Sequence, residues 1–438
     1  MTLAEKPAAP AAAVQAVNSG SAYAKITVRI VPLIFFCYVA AYLDRINVGF
    51  AQLQMADDLG FSNAVFGFGA GAFFIAYILF EVPSNLLLER VGARLWIARI
   101  MISWGVLSAL TMFVTTPAQF YVLRFLLGVA EAGFVPGVLL YLTHWFPGPR
   151  RARVISLFMM GIPAAAMFGG PLSGWILSSL DQAAGWTGWQ WLFLVEALPT
   201  IVLGVLVLVL LPDRVAAVSW LTAAEKESVR QDLSRDAEGA DRKHDIRSAL
   251  RDARVWWLGV IDMSFMLGTY AIGFWLPTLI KESGEKDTGT IGWLTAVPHA
   301  AALIAMLIAG ASSDRFRERR WHLVVPMLVG AAGLAGSTLV SDSIGMTVLM
   351  FTVANVGIVA CYPVFWCLPP AFLSGRAAAA GIALITSMAN LGGFLATYLL
   401  GWLRDLTASP MHGLLLCAVF LLAGGALVLR LPATEVNR

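Results

Sequence analysis

The sequence predicts an all-α membrane protein whose twelve transmembrane helices form two six-helix pseudo-repeats. Three observations predict it. Hydrophobic residues make up 59% of the 438 and charged residues only 13%, against about 25% charged in a soluble globular chain. Apolar stretches of about eighteen residues or more recur along the whole length, each able to cross a hydrocarbon core of about 30 Å at 1.5 Å rise per residue. A loop pattern of one acid followed by arginines occurs twice at a fixed offset.

Taken in order, residues 1–26 are rich in Ala and Pro, carry Lys6 and Lys25, and lack the apolar core and cleavage site of a signal peptide. They read as a disordered cytoplasmic tail. Six spans follow, at 27–51, 62–88, 94–115, 118–142, 152–180 and 189–211, forming an N-terminal bundle over 27–211. The segment 212–253 is the one long polar stretch; its Glu225, Lys226, Glu227, Arg230, Asp232 and Arg235 are spaced for ion pairs along a helix. It is a central cytoplasmic loop, too short for a soluble output domain. Six more spans, at 254–280, 288–312, 321–341, 344–367, 377–403 and 410–431, form a C-terminal bundle over 254–431. Residues 432–438 are left as a cytoplasmic tail.

An even number of spans puts both termini on one side. Setting aside Arg45 and Arg124 within helices, 25 basic residues fall on that side, while Lys281, Lys286 and Arg404 fall on the other. The positive-inside rule makes the basic side cytoplasmic. Cys37, Cys361, Cys367 and Cys417 all lie in apolar segments without C-x-x-C spacing, so neither a disulfide nor a metal site is expected. The net charge of +3 gives no basis for a nucleic-acid partner. With no H-E-x-x-H and no G-x-S-x-G turn, a membrane-embedded enzyme is disfavoured.

The repeated loop reads Asn85-Leu-Leu-Leu-Glu89-Arg90-Val-Gly-Ala-Arg94 after the second span and Gly310-Ala-Ser-Ser-Asp314-Arg315-Phe-Arg-Glu-Arg319 after the eighth. A weaker echo pairs Gly169, Gly170, Gly174 and Trp175 with Gly392, Gly393, Gly401 and Trp402. Parallel repeats about an axis along the membrane normal are a transporter architecture, with the substrate site at mid-depth between the halves.

The acid-Arg loop resembles the signature of the major facilitator superfamily. The run Tyr42-Leu-Asp44-Arg45-Ile-Asn47-Val-Gly49-Phe-Ala51 resembles the first helix of its anion:cation symporter family, as do Pro83-Ser-Asn85, Arg99 to Gly105, Arg124 to Gly133, Trp145-Phe-Pro147 and Gly381 to Gly393. The likeness covers nearly everything but the tails and central loop. It implies a bacterial inner-membrane carrier of small organic anions such as sugar acids, hydroxy acids, aromatic carboxylates or sulfonates, with protons as the coupling ion and no cofactor. Its architecture is complete as a monomer in the lipid bilayer. The first loop copy departs from the superfamily form in having Asn85 where Gly is usual and Glu89 where Asp is usual.

Ionisable side chains deep in a span are costly and are functional candidates by default. Arg45 and Arg124 are expected to anchor substrate, because a guanidinium grips two carboxylate oxygens and stays protonated. Asp44 and Glu131 are expected to couple protons: burial favours the neutral carboxyl and a nearby guanidinium favours the ionised one. With both acids ionised the arginines are occupied; protonation frees them for an anion, which links the two ligands reciprocally. The resemblance implies the same assignment. The competing reading is that buried Arg-acid pairs only lock helices together.

Tyr38, Tyr42 and Arg45 share a helix face. Tyr42 and Tyr77 are further candidate substrate contacts, and Asn390, in an Asn-Leu-Gly-Gly context, is the one from the second half. Glu81 and His299 are candidates to line the pathway, with a packed and satisfied role as the alternative for each. Asp262 and Glu196 lie nearer helix ends and read as structural. Glu89, Arg90, Arg94, Asp314, Arg315 and Arg319 read as a cytoplasmic gate whose ion pairs across the halves latch the outward-facing state. Symport of a small organic anion with protons is the leading reading; an exchanger or facilitator of the same fold, or a proton/drug antiporter, are the rivals.

Overall fold

A computed structural model describes residues 19–239, 251–340, 343–369 and 375–437. The helices of the first half are α1 (Ser19–Leu59), α2 (Asn63–Val91), α3 (Ala93–Leu110), α4 (Pro117–Glu131), α5 (Phe134–Thr143), α6 (Gly148–Met159), α7 (Gly161–Ser179) and α8 (Gly188–Leu210). Polar helix α9 (Ala223–Gly239) follows, and then α10 (Ala253–Glu282), α11 (Thr288–Phe316), α12 (Trp321–Ser337), α13 (Ile344–Phe365), α14 (Gly375–Thr407), α15 (Met411–Arg430) and the short α16 (Ala433–Val436). Among the described residues eleven passages are long and apolar enough to cross a membrane, two of them made of the broken pairs α4/α5 and α6/α7. The shorter apolar α12, 17 residues and about 26 Å long, completes the expected twelve.

The first helix extends the predicted span at both ends, and residues 19–26 are helical rather than part of a disordered tail. Tertiary contacts hold them: the Tyr23 ring packs beside Phe146, its hydroxyl donates to Asp232 at 3.2 Å, and Lys25 bonds Glu225 at 2.7 Å. Residues 1–18 lie outside the described residues. In the central segment α9 carries two of the expected pairs, Arg230 with Glu227 and Arg235 with Asp232 at 3.9 Å; 240–250 lie outside the described residues. The tail after 431 forms α16 and ties back through Glu435 to Arg254 and through Asn437, which accepts from the Arg319 backbone at 2.7 Å.

The two halves repeat each other in helix register as well as motif. Helix α11 begins and ends 225 residues after α2. Between the halves α1 packs on α10, α2 on α14 and α7 on α11. Residues one offset apart meet on the pseudo-twofold axis: a side chain at Gly49 would strike the Phe274 carbonyl at 2.6 Å, and Arg45 bonds Tyr270.

Small residues let these helices touch, as in other membrane bundles. A Cβ at Gly292 would lie 2.4 Å from the Gly170 carbonyl and 3.0 Å from Gly174 Cα; one at Gly67 would meet the Thr397 carbonyl at 2.4 Å. These contacts sit toward the end of the bundle opposite the termini. Cross-half hydrogen bonds among the described residues concentrate there too. Lys281 bonds the Leu53 carbonyl at 2.8 Å and Asp57 at 3.3 Å, and the Asp405 carboxylate accepts from Asn63 and from the Ala64 backbone at 2.7 Å, capping the start of α2. The halves are thus clamped at the far end.

Gly292→Leu is expected to prise this clamp apart, because a side chain there meets backbone that cannot rotate away. Labelling of a cysteine placed at Gln52, in a protein cleared of its native cysteines, should rise several-fold from the far side. Unchanged labelling would show that the closed end tolerates the added volume.

Candidate functional site

The site grows from one residue pair on α1. Neighbouring residues on a helix point about 100° apart, so Arg45 and Asp44 serve different surroundings. Arg45 faces the junction of the halves: its guanidinium forms an ion pair with Glu131 of the first half and donates to the Tyr270 hydroxyl of the second at 3.1 Å. The rings of Phe73 and Tyr77 lie 5.2 and 5.5 Å from the same guanidinium carbon, within cation–π range.

Asp44 departs from the expected pairing with an arginine. Its carboxylate accepts from the hydroxyls of Ser108 on α3 at 3.0 Å and Thr200 on α8 at 2.8 Å, with Asn47 Nδ2 at 3.5 Å. It looks into the first bundle, not toward the second. Nearby, Glu196 accepts from Ser173 at 2.7 Å.

Glu131 owes its position to a broken helix. It is the last residue of α4, and the chain turns at Gly133 (φ 86°), where any Cβ would lie 2.4 Å from Ser84 Oγ of α2. Positive φ and close approach both call for glycine. One Glu131 oxygen meets Arg45 and the other has no hydrogen-bond partner among the described residues. Two turns earlier on α4, Arg124 is 1% exposed, with its guanidinium carbon 5.4 Å from the Phe73 ring centre and with Nε and Nη2 lacking a hydrogen-bond partner among the described residues. Its described contacts stay within the first half. Two guanidiniums and two carboxylates therefore share one buried region, with the Glu81 carboxyl within electrostatic reach of Arg45 and that of Glu196 within reach of Asp44.

Among the other predicted residues, Tyr42 packs with Ile46, Ala165 and Ala166. Neither its hydroxyl nor that of Tyr77 has a hydrogen-bond partner among the described residues. Glu81 is buried one turn beyond Tyr77, likewise without a described hydrogen bond. Asn390 donates to the Thr386 carbonyl at 3.1 Å on its own helix, one turn before Gly393 packs on Phe74. His299 Nδ1 lies 2.8 Å from the Thr295 carbonyl, a contact within α11 that occupies one ring nitrogen.

Comparison with known proteins now decides the family. Residues 34–397 match the Major Facilitator Superfamily. The chain belongs to that superfamily. It is 55% identical to the "putative metabolite transport protein NicT" of Pseudomonas putida, over 95% of each chain. It is 47% identical to a "putative tartrate transporter" of Agrobacterium vitis, covering 94% of this chain and 91% of that one, and 39% identical to a "quinolone resistance transporter" of Acinetobacter baumannii, covering 91% and 92%. Among solved structures it resembles a bacterial homolog of the human lysosomal transporter Spinster, in an inward-facing and occupied conformation, with TM-score 0.74 at 15% identity over 92% and 96% of the two chains. The protein is a multi-pass membrane transporter and not an enzyme.

The superfamily loop motifs sit at the end of the bundle that carries the termini. The second copy is closed on itself: Arg319 pairs with Asp314 at 2.6 Å and donates to Ser313 at 2.9 Å. The first is not. Arg94 turns to Asp213, whose Oδ1 accepts from its backbone at 3.0 Å, while Glu89, Arg90 and Arg315 are exposed and form no ion pair among the described residues. None of these described pairs joins the halves, so the expected latch is not formed in this conformation, in which the far end is the clamped one.

Sequence reasoning missed Tyr270, Tyr362 and Thr269 in this major facilitator protein. Tyr362 Oη lies 3.0 Å from Thr269 Oγ1 and 3.1 Å from Met266 Sδ, on the second-half side of the site. Tyr270 could have been found: it stands one repeat offset from Arg45, which puts both on the axis where the first helices of the halves cross.

Proposed function

We propose that this transporter is a proton-coupled symporter that brings a small organic anion into the cell across a bacterial inner membrane, with both termini cytoplasmic. The observation that carries the reading is the shared guanidinium of Arg45, held at once by a carboxylate of one half and a phenol of the other. An anion at mid-depth competes with Glu131 for that guanidinium. Protonation of Glu131 releases Arg45 and makes the site more positive by one charge, which the substrate neutralises. Proton and anion then favour each other's binding by the same factor, as linkage requires. A second proton on Asp44 would leave room for a second negative charge, which suits a dicarboxylate.

Arg45 is the primary anchor in this reading because it touches both halves, with Arg124 the reserve of positive charge. Tyr42, Tyr77, Tyr270 and Asn390 supply polar contacts to hydroxyl or carboxylate oxygens. The tartrate relative supports a small hydroxy acid as substrate. With the far end clamped and the termini cytoplasmic, the conformation is inward-facing, and the loop motifs of Glu89 and Asp314 re-form their latch when the halves rock outward.

A second reading, proton/drug antiport, is favoured by the quinolone resistance relative. Uptake into proteoliposomes under an imposed inward proton gradient separates the two. A panel of hydroxy acids, sugar acids, aromatic carboxylates, sulfonates and a quinolone is expected to show gradient-driven accumulation of one carboxylate class. Accumulation that ignores the gradient but needs anion on the opposite side would replace symport with exchange.

A further inference from the structure

Asp262 is not explained by the site above. It lies on α10, eight residues or about 12 Å from Tyr270 toward the terminal face, it is 0% exposed, and both of its carboxylate oxygens lack a hydrogen-bond partner among the described residues. An acid retained to lock helices together makes hydrogen bonds; this one makes none.

Its surroundings show what it is near. Asp262, Met266, Thr269 and Gly273 recur at i, i+4, i+7 and i+11, so they form one stripe of α10. Along it Met266 and Thr269 meet the Tyr362 hydroxyl, and Gly273 lies opposite Ile46 of α1. That stripe runs from Asp262 to the junction where Arg45 meets the second half. Of titratable groups, Tyr362 of α13 is within electrostatic reach of Asp262, and it is also within reach of Tyr42 and Tyr270. The residues that α14 and α15 set against this stretch, Met388, Gly392 and Gly424, carry no charge, and α1 meets α10 farther along, at Arg45, Ile46 and Gly49. Among the described residues no cation stands by to balance an ionised carboxylate.

We infer that Asp262 is a second proton-binding site, in the C-terminal half, which carries a proton in this conformation and exchanges it once per transport cycle. The inference rests on the proton-symport reading of the Arg45 site. An ionised, unpartnered carboxylate is disfavoured inside a membrane protein, and a permanent negative charge on the cytoplasmic side of the site would repel the anion as it leaves. The proton binds a carboxylate oxygen and leaves to water when rearrangement of α10 against α13 admits it.

The test is the proton-to-substrate ratio of the reconstituted full-length protein, with the anion identified by the uptake panel. Asp262→Asn keeps the shape and cannot titrate; it should lower the ratio by one proton while substrate affinity stays within about twofold. A wild-type ratio in that variant overturns the inference. Should the variant fail to fold, dicyclohexylcarbodiimide, which attacks protonated carboxyls in apolar surroundings, is applied to the wild-type protein and the adduct mapped by mass spectrometry. Modification at Asp262 that falls as pH rises supports the inference; no modification there, or modification indifferent to pH, overturns it. If wild-type uptake moves no proton at all, the symport reading itself fails, and the carbodiimide map alone decides Asp262.

Discussion

Arg45→Ala is expected to abolish transport and to weaken binding of the anion by at least about 100-fold. Hydrogen bonds to charged groups contribute about 1.5–3 kcal/mol each, a bidentate grip offers two of them, and each 1.4 kcal/mol is tenfold in affinity. The same change strands Glu131 in a buried region, where removing one partner of an ion pair costs about 3–5 kcal/mol. Folding must therefore be controlled. Arg45→Lys keeps the charge but not the fork, and should fold while binding about tenfold more weakly. Binding titrations on purified protein check both. Normal binding by a folded Arg45→Ala variant would return the pair with Glu131 to a purely structural role.

Glu131→Gln is expected to separate binding from coupling. Glutamine keeps the size and can still accept a hydrogen bond from Arg45, but it cannot take up a proton. The anion should then bind with little dependence on pH, and exchange of labelled for unlabelled anion should persist. Gradient-driven accumulation should fall to the level seen without a gradient. The expected span is large: one pH unit supplies about 1.4 kcal/mol per proton, which is tenfold accumulation for a single electroneutral proton. Retained uphill uptake in this variant would move the coupling role to Asp44 or Asp262.

The parts of this molecule visible in sequence are those set by local rules. Apolar stretches of membrane length mark the spans, and the 225-residue offset of the loop motifs marks the halves, because both are written along the chain. Helix ends were less visible: residues 19–26 are polar enough to read as a tail, and their helix is held by contacts with Phe146, Glu225 and Asp232, far away in sequence. The site divides in the same way. Arg45, Arg124, Asp44 and Glu131 stand out because charge in a span is rare and costly. That Asp44 would turn to Ser108 and Thr200 could not be read, since those hydroxyls come from two other helices and are ordinary residues in membrane spans. Asp262 illustrates the converse. Its place near a helix end suggests packing, and only the absence of a hydrogen-bond partner among the described residues points to chemistry.

If anion and proton cross together through the Arg45–Glu131 pair, proton movement shows it most directly. Lightly buffered proteoliposomes at equal pH inside and out should alkalinise the outer medium when the transported anion is added, and vesicles holding Glu131→Gln, which exchange anion without net uptake, should stay silent. Uptake of the anion with no pH change, or with acidification outside, would contradict the account and point to facilitated diffusion or to antiport.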